Sequence, residues 1–232
     1  MVAFESLEQL MAVTSSKLDF QTLVEAGHRQ PIAFKNRCLL LSWAGGLVDF
    51  DPQTIGRRSI HNVMIVTGST KFHSRFYQQV WVRASYKPYR RAMAQYYRDS
   101  TGGSQIGRYD IDHAVSRKTL KSFWPEAWVN ALYVESGINR SIGALMERQT
   151  AANLTNADTV LFNAECYLKL FYDRSGRLSR PGIGTYMQRA TCKSLTSTEQ
   201  GANSKEIANV HRILGAIHSE AGYTYQPSNN SC

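Results

Sequence analysis

The sequence predicts an α+β fold, mainly helical, with a few short strands in the N-terminal third and a small strand–strand–helix unit embedded among helices. Three observations predict it. Apolar residues recur at helical spacing near the N-terminus and through the C-terminal third. Short extended segments flank a basic stretch in the middle, and glycine and proline punctuate the rest. The 232 residues are 43% hydrophobic and 19% charged, a globular balance that excludes global disorder.

Taken in order, Leu7, Leu10, Met11, Phe20, Leu23 and Val24 predict one or two amphipathic helices over the first 28 residues. Residues 31–50 and 61–67 read as strand-like, through Ile32–Phe34, Leu39–Leu41 and Val63–Val66, with turns at Gly45-Gly46, Asp51-Pro52 and Gly56. The spacing of Phe76, Val80 and Ala84 predicts a helix over 74–83. Pro88 opens a second helix through Arg98, since proline is tolerated in a first turn. On that helix Tyr89, Met93 and Tyr96 share one face, and Arg91, Gln95 and Arg98 another. A Ser/Thr/Gly loop over 100–104 precedes extended segments at 108–115 and 131–135. Helices are expected from Asn139 to Ala152 and over 158–171, 186–195 and 204–221. The chain therefore divides into an N-terminal helix-and-strand region (1–70), a basic central region (71–155), a C-terminal helical region (156–222) and a flexible tail (223–232).

The net charge is +9, and its position matters more than its size. Between Lys71 and Lys121 stand eleven Lys or Arg against Asp99, Asp110 and Asp112, so this window carries a surplus of eight. It also holds nine of the 25 aromatic residues. Clustered cations beside aromatic rings suit a polyanion, because Lys and Arg release the counterions condensed on phosphates. A solvated basic helix face, with its aromatics in the core, accounts for the same composition. Cys38, Cys166, Cys192 and Cys232 lie far apart with no Cys-x-x-Cys pair, which argues against a zinc knuckle. The first 20 residues have neither a basic start nor an unbroken apolar run. No signal peptide or membrane span is therefore expected, and the expected compartment is the cytoplasm.

The informative stretch is Asp110-Ile111-Asp112-His113, then Asn130, then Asn139-Arg140-Ser141-Ile142-Gly143. It resembles the HNH (His-Me finger, ββα-metal) endonuclease family in an Asp-His/Asn/Asn form, over about 109–152. In that family an Asp-His pair ends the first strand, a central Asn begins the second, and the last ligand opens the helix. The resemblance implies a ββα-metal finger that hydrolyses phosphodiester bonds in DNA. It implies His113 as general base and Asn130 as the residue orienting its ring. Asp112 and Asn139 become ligands of one Mg²⁺, Mn²⁺ or similar divalent cation.

The chemistry is coherent in its own right. An imidazole with an ordinary pKa near 6.5 can take a proton from water at neutral pH. A hard cation held by one carboxylate and one amide oxygen keeps open positions for phosphate oxygens. Arg117, Lys118 and Arg140 stand beside the motif as phosphate contacts, with Arg91 and Arg98 on the preceding helix. DNA is the expected partner, and RNA is compatible because phosphate contacts carry no sugar identity. Two-fold symmetric DNA would suit a homodimer.

The family's usual Pro after the His is missing, and Ile142 stands where Lys is frequent. A non-catalytic nucleic-acid-binding or assembly protein with a degenerate finger is therefore the alternative, and an acidic protein partner a third. Each residue also has a structural reading: Asp112 as a turn carboxylate, His113 as a satisfied histidine, Asn139 as a helix N-cap. His211 and His218, seven apart on one helical face with no carboxylate at ligand spacing, read as structural.

Overall fold

The computed structural model describes residues 29–69, 76–103, 109–139, 142, 146, 154, 156–171, 183–198 and 204–225. The helices expected in the first 28 residues, Arg140 and the end of the tail lie outside them. Among the described residues, no helix is long and apolar enough to cross a membrane.

The fold class is corrected. A seven-stranded antiparallel sheet, curled into a half-barrel, is the organising element, where a mainly helical protein with a small finger was expected. The strands are β1 (Pro31–Phe34), β2 (Val48–Gln53), β3 (Val63–Ser69), β4 (Phe76–Arg83), β5 (Tyr109–His113), β6 (Trp128–Glu135) and β7 (Thr159–Leu161). Their order is β2-β3-β4-β6-β1-β7, with β5 also paired to β6. The described helices are α1 (Arg37–Ala44), α2 (Tyr89–Thr101), α3 (Arg117–Phe123), α4 (Ala164–Phe171), α5 (Ile183–Thr198) and α6 (Ser204–Glu220). A further helical segment begins at 136, directly after β6.

Three segments change type: the start of the helix expected over 158–171 is β7, paired with β1, and the helix begins only at Ala164; the other two have clear physical reasons. The stretch expected as a helix over 74–83 is β4, which pairs with β3 from Val63↔Val82 to Ser69↔Phe76 and with β6 from Val80↔Ala131 to Arg83↔Trp128. A strand covered on both faces loses its polar–apolar alternation, so Val80, Trp81 and Val82 are all buried and mimic a helical stripe. Conversely, Leu39–Leu41 belong to α1. Asn36 caps that helix, its side chain accepting the Leu39 N–H at 3.0 Å, and the cap outweighs the β-like look of a leucine run.

β6 is the hub. Ala131 pairs with Val80 on one side and His113 on the other, which places β1 and β5 along the same edge of β6. One sheet face packs on α2: the Tyr133 hydroxyl donates to the Met93 carbonyl at 3.0 Å, and the Tyr96 hydroxyl donates to Gln78 Oε1 at 2.9 Å. Pro88 starts α2, and Gly102, at φ 69°, ends it by donating to the Arg98 carbonyl. Of the described aromatics of the basic window, Trp81, Tyr89, Tyr96 and Tyr97 are buried and Tyr86 and Tyr109 pack against the core. A second apolar cluster, including Phe34, Trp81 and Trp128, lies under α1, with the Phe34 and Trp81 ring centroids 5.3 Å apart.

Candidate functional site

Adjacent residues on a strand point to opposite faces. His113, paired with Ala131, therefore faces α2, where its ring lies 4.0 Å from the Tyr89 ring, centroid to centroid. Asp112, paired with Leu132, faces the other way, toward α4. Both reach a cavity of about 550 Å³ at the C-terminal end of β5. Lys87 and Arg90 enter it from the start of α2, and Ser116, Arg117 and Lys118 from the start of α3. Asn139 enters from the helix after β6, and Glu165 and Lys169 from α4.

β5 and β6 are paired strands of the large sheet and a helical segment follows β6, so Asp112, His113 and Asn139 line one cavity together with Arg117 and Lys118. Asn130 does not join them. It pairs with Trp81 on the sheet face opposite His113, fully buried, so it cannot orient the imidazole. Asn139 is no N-cap, because the helix begins at 136. There the Ser136 hydroxyl donates to Asp110 Oδ1 at 2.8 Å and ties the helix start to β5. Arg91 and Arg98 are exposed on the outer face of α2 and do not line the cavity.

The residue that sequence reasoning missed is Lys169. Its side chain is only 2% exposed. Its ammonium donates to the His113 carbonyl at 2.8 Å and is ion-paired with Asp112 Oδ2 at 2.9 Å and Glu165 Oε1 at 3.0 Å. Burial alone would lower the Lys169 pKa, but the Glu165 and Asp112 carboxylates outweigh it and raise it. Burial would likewise raise Asp112, yet the Lys169 charge and hydrogen bond hold it below the usual carboxylate range. Lys169 and Asp112 are therefore both ionised at neutral pH. A legible signal existed: Glu165 and Lys169 form an i,i+4 pair inside an otherwise apolar helix, where unpaired charges are almost never buried.

This arrangement decides whether the divalent cation implied by the resemblance fits. Asp112, the carboxylate it would need, is held by an ammonium that also lies against the next nearest carboxylate. Among the described residues, no three of His, Cys, Asp and Glu are grouped to hold a metal. A divalent ion beside this buried positive charge would be repelled by it. The donor set does not fit the ion as it stands.

His113 has different properties. It is 3% exposed, and its Nε2 is buried with no hydrogen-bond partner among the described residues. Burial pushes its pKa down to about 3, against the opposing pull of Asp112, so the imidazole is neutral at physiological pH. Above it, the Arg90 guanidinium lies 5.4 Å from the Tyr89 ring centroid and its Nε–H donates to the Ile111 carbonyl at 3.2 Å. Burial raises the Tyr89 phenol, which stays protonated. The lining holds five basic residues against two acidic ones. Because Lys169 is matched by Asp112 and Glu165, the surplus belongs to Lys87, Arg90, Arg117 and Lys118.

Comparison with protein-family models, curated proteins and solved structures found no match. The resemblance to HNH endonucleases therefore rests on the residues of the central motif alone.

Proposed function

We propose that this protein binds nucleic acid, with the phosphates held at the cavity by Lys87, Arg90, Arg117 and Lys118. The observation that carries the reading is the convergence of those four cations, from two separate helix starts, on a concavity floored by a neutral imidazole. Phosphate contacts by Lys and Arg supply most of non-specific nucleic-acid affinity, so binding is expected to weaken steeply as salt rises. The test is fluorescence anisotropy of labelled single- and double-stranded oligonucleotides across a salt series, on wild type and on Arg117→Gln/Lys118→Gln. No binding to any oligonucleotide at low salt would reject the reading and favour an acidic protein partner.

Hydrolysis is the second reading, and it requires the Lys169 ammonium to leave Asp112 before a divalent ion binds there. What favours it is the meeting of Asp112, His113 and Asn139 at one cavity, at the end of a strand pair that runs directly into a helix. Plasmid nicking with Mg²⁺ or Mn²⁺, compared between wild type and His113→Ala, separates the two readings. Cleavage that needs the ion and His113 establishes hydrolysis; equal signals from both proteins remove it.

A further inference from the structure

A continuous strand and a strand end present different chemistry to such a cavity. An internal phosphodiester carries one charge and two non-bridging oxygens, and both of its ester links must leave the site. A phosphomonoester carries a charge of about −1.5 to −2 at neutral pH and three terminal oxygens. It needs one exit only.

The cavity matches the second pattern. Its cations do not run as a stripe along one helix: Arg91 and Arg98, which would extend a track along α2, lie outside it. Lys87 and Arg90 come from the start of α2, and Arg117 and Lys118 from the start of α3. His113 lines the same cavity, more than nine-tenths buried, and its Nε2 has no hydrogen-bond partner among the described residues. A buried polar atom without a partner is destabilising, and an oxygen of an inserted ligand that reached it would satisfy an Nε2–H donor. A terminal phosphate offers three oxygens, one more than an internal diester, to the several donors of this lining.

Resting on the nucleic-acid reading above, we propose that the cavity captures a phosphomonoester dianion, the phosphorylated end of a nucleic-acid strand, with His113 Nε2 and the Arg117–Lys118 pair as its contacts. Two sources share that chemistry, a strand end and a free nucleoside monophosphate.

The experiment compares three forms of one short labelled single strand by anisotropy at fixed salt: 5′-phosphorylated, 3′-phosphorylated and unphosphorylated at both ends. The expected result is a preference of about tenfold or more for one phosphorylated form, the scale of one or two charge-assisted hydrogen bonds. Arg117→Gln/Lys118→Gln should abolish that preference while keeping the wild-type circular dichroism spectrum and melting midpoint. His113→Phe, which keeps an aromatic ring against Tyr89, should weaken it. Adenosine monophosphate as competitor identifies the source: competition as strong as the phosphorylated strand's supports monoester capture and assigns it to free nucleotides, and weak competition assigns it to strand ends. Equal affinity for all three strands overturns the inference and leaves nucleic-acid binding standing. Absence of binding to all three overturns both.

Discussion

His113 and His218 are both buried imidazoles, and their surroundings separate a working residue from a packing one. His218, on α6, has its Nε2 2.9 Å from the Thr191 hydroxyl, and its ring meets the Tyr225 ring edge-on. Thr191 in turn donates to the Met187 carbonyl at 2.8 Å. His218 Nε2 and the Thr191 hydroxyl are thus both used within the chain. His113 is stacked on Tyr89 with its Nε2 unpartnered beside a cationic cavity. Burial lowers the pKa of both rings, so titration does not distinguish them. Hydrogen-bond satisfaction does: a folded chain tolerates an orphaned buried atom most readily where something outside the chain completes it.

The largest expected effect concerns the clamp on the His113 side. Lys169→Ala leaves the Asp112 and Glu165 carboxylates without their cation, and removal of one member of a buried ionic cluster typically costs about 3–5 kcal/mol. Urea denaturation followed by circular dichroism measures the loss. The same substitution leaves two carboxylates and the His113 carbonyl around a vacated position, a hard-oxygen set that suits Mn²⁺. Added Mn²⁺ should raise the melting midpoint of Lys169→Ala and leave that of wild type where it is. An equal rise in both would show that Lys169 does not exclude the ion.

Next in size is the double change Arg117→Gln/Lys118→Gln. Removing two phosphate contacts should lower the slope of log affinity against log salt by about 1.4 for single strands and about 1.8 for duplex. His218→Gln/Thr191→Val, far from the cavity in sequence and chemistry, should leave that slope unchanged. If both variants changed it alike, the two imidazoles would not differ in function.

A smaller and sharper contrast comes from replacing each ring with an apolar one. His218→Phe gives up a satisfied hydrogen bond and should cost about 1 kcal/mol. His113→Phe removes an unsatisfied atom and should be neutral or slightly stabilising, while oligonucleotide affinity falls. Matching stability losses would mean that His113 Nε2 has a partner in solution.

The smallest effect is on pH dependence. Each unfolded imidazole takes a proton near pH 6.5, whereas the folded rings resist it, His113 down to about pH 3. The unfolded state therefore binds more protons in that window, and stability falls as pH drops from about 6.5 toward 3. Melting midpoints from pH 7 to 5 should decline in wild type and less steeply in either His→Phe variant. A flat wild-type profile would contradict burial of both rings in neutral form.

How much of this was legible differs between the two regions for the same physical cause. The end of β6, the helix α2 opened at Pro88 and the helices α5 and α6 follow from local pattern, whereas the grouping of Asp112, His113 and Asn139 comes from the resemblance. β4 was misread because burial on both faces erased its alternation. Asn130 takes its expected role from the resemblance, although the pleat turns its side chain away from His113. Lys169 and Glu165 were hidden by distance along the chain. Their helix reads as a packing element, and nothing local to Asp112 announces a lysine 57 positions later. Only the oddity of a charged pair among apolar neighbours pointed to it.

Within the described sheet, β5 has a single neighbour, β6, while β6 itself is held by β4 and β1 as well. The segment carrying the motif is thus a side branch of the sheet, and Lys169, reaching both of its last two residues, is a rivet fixing it from outside. Such a branch can detach without unravelling the remaining strands. Its amide protons would be among the first of any strand's to exchange with solvent, and the cavity would then open and re-form while the body of the protein stays folded.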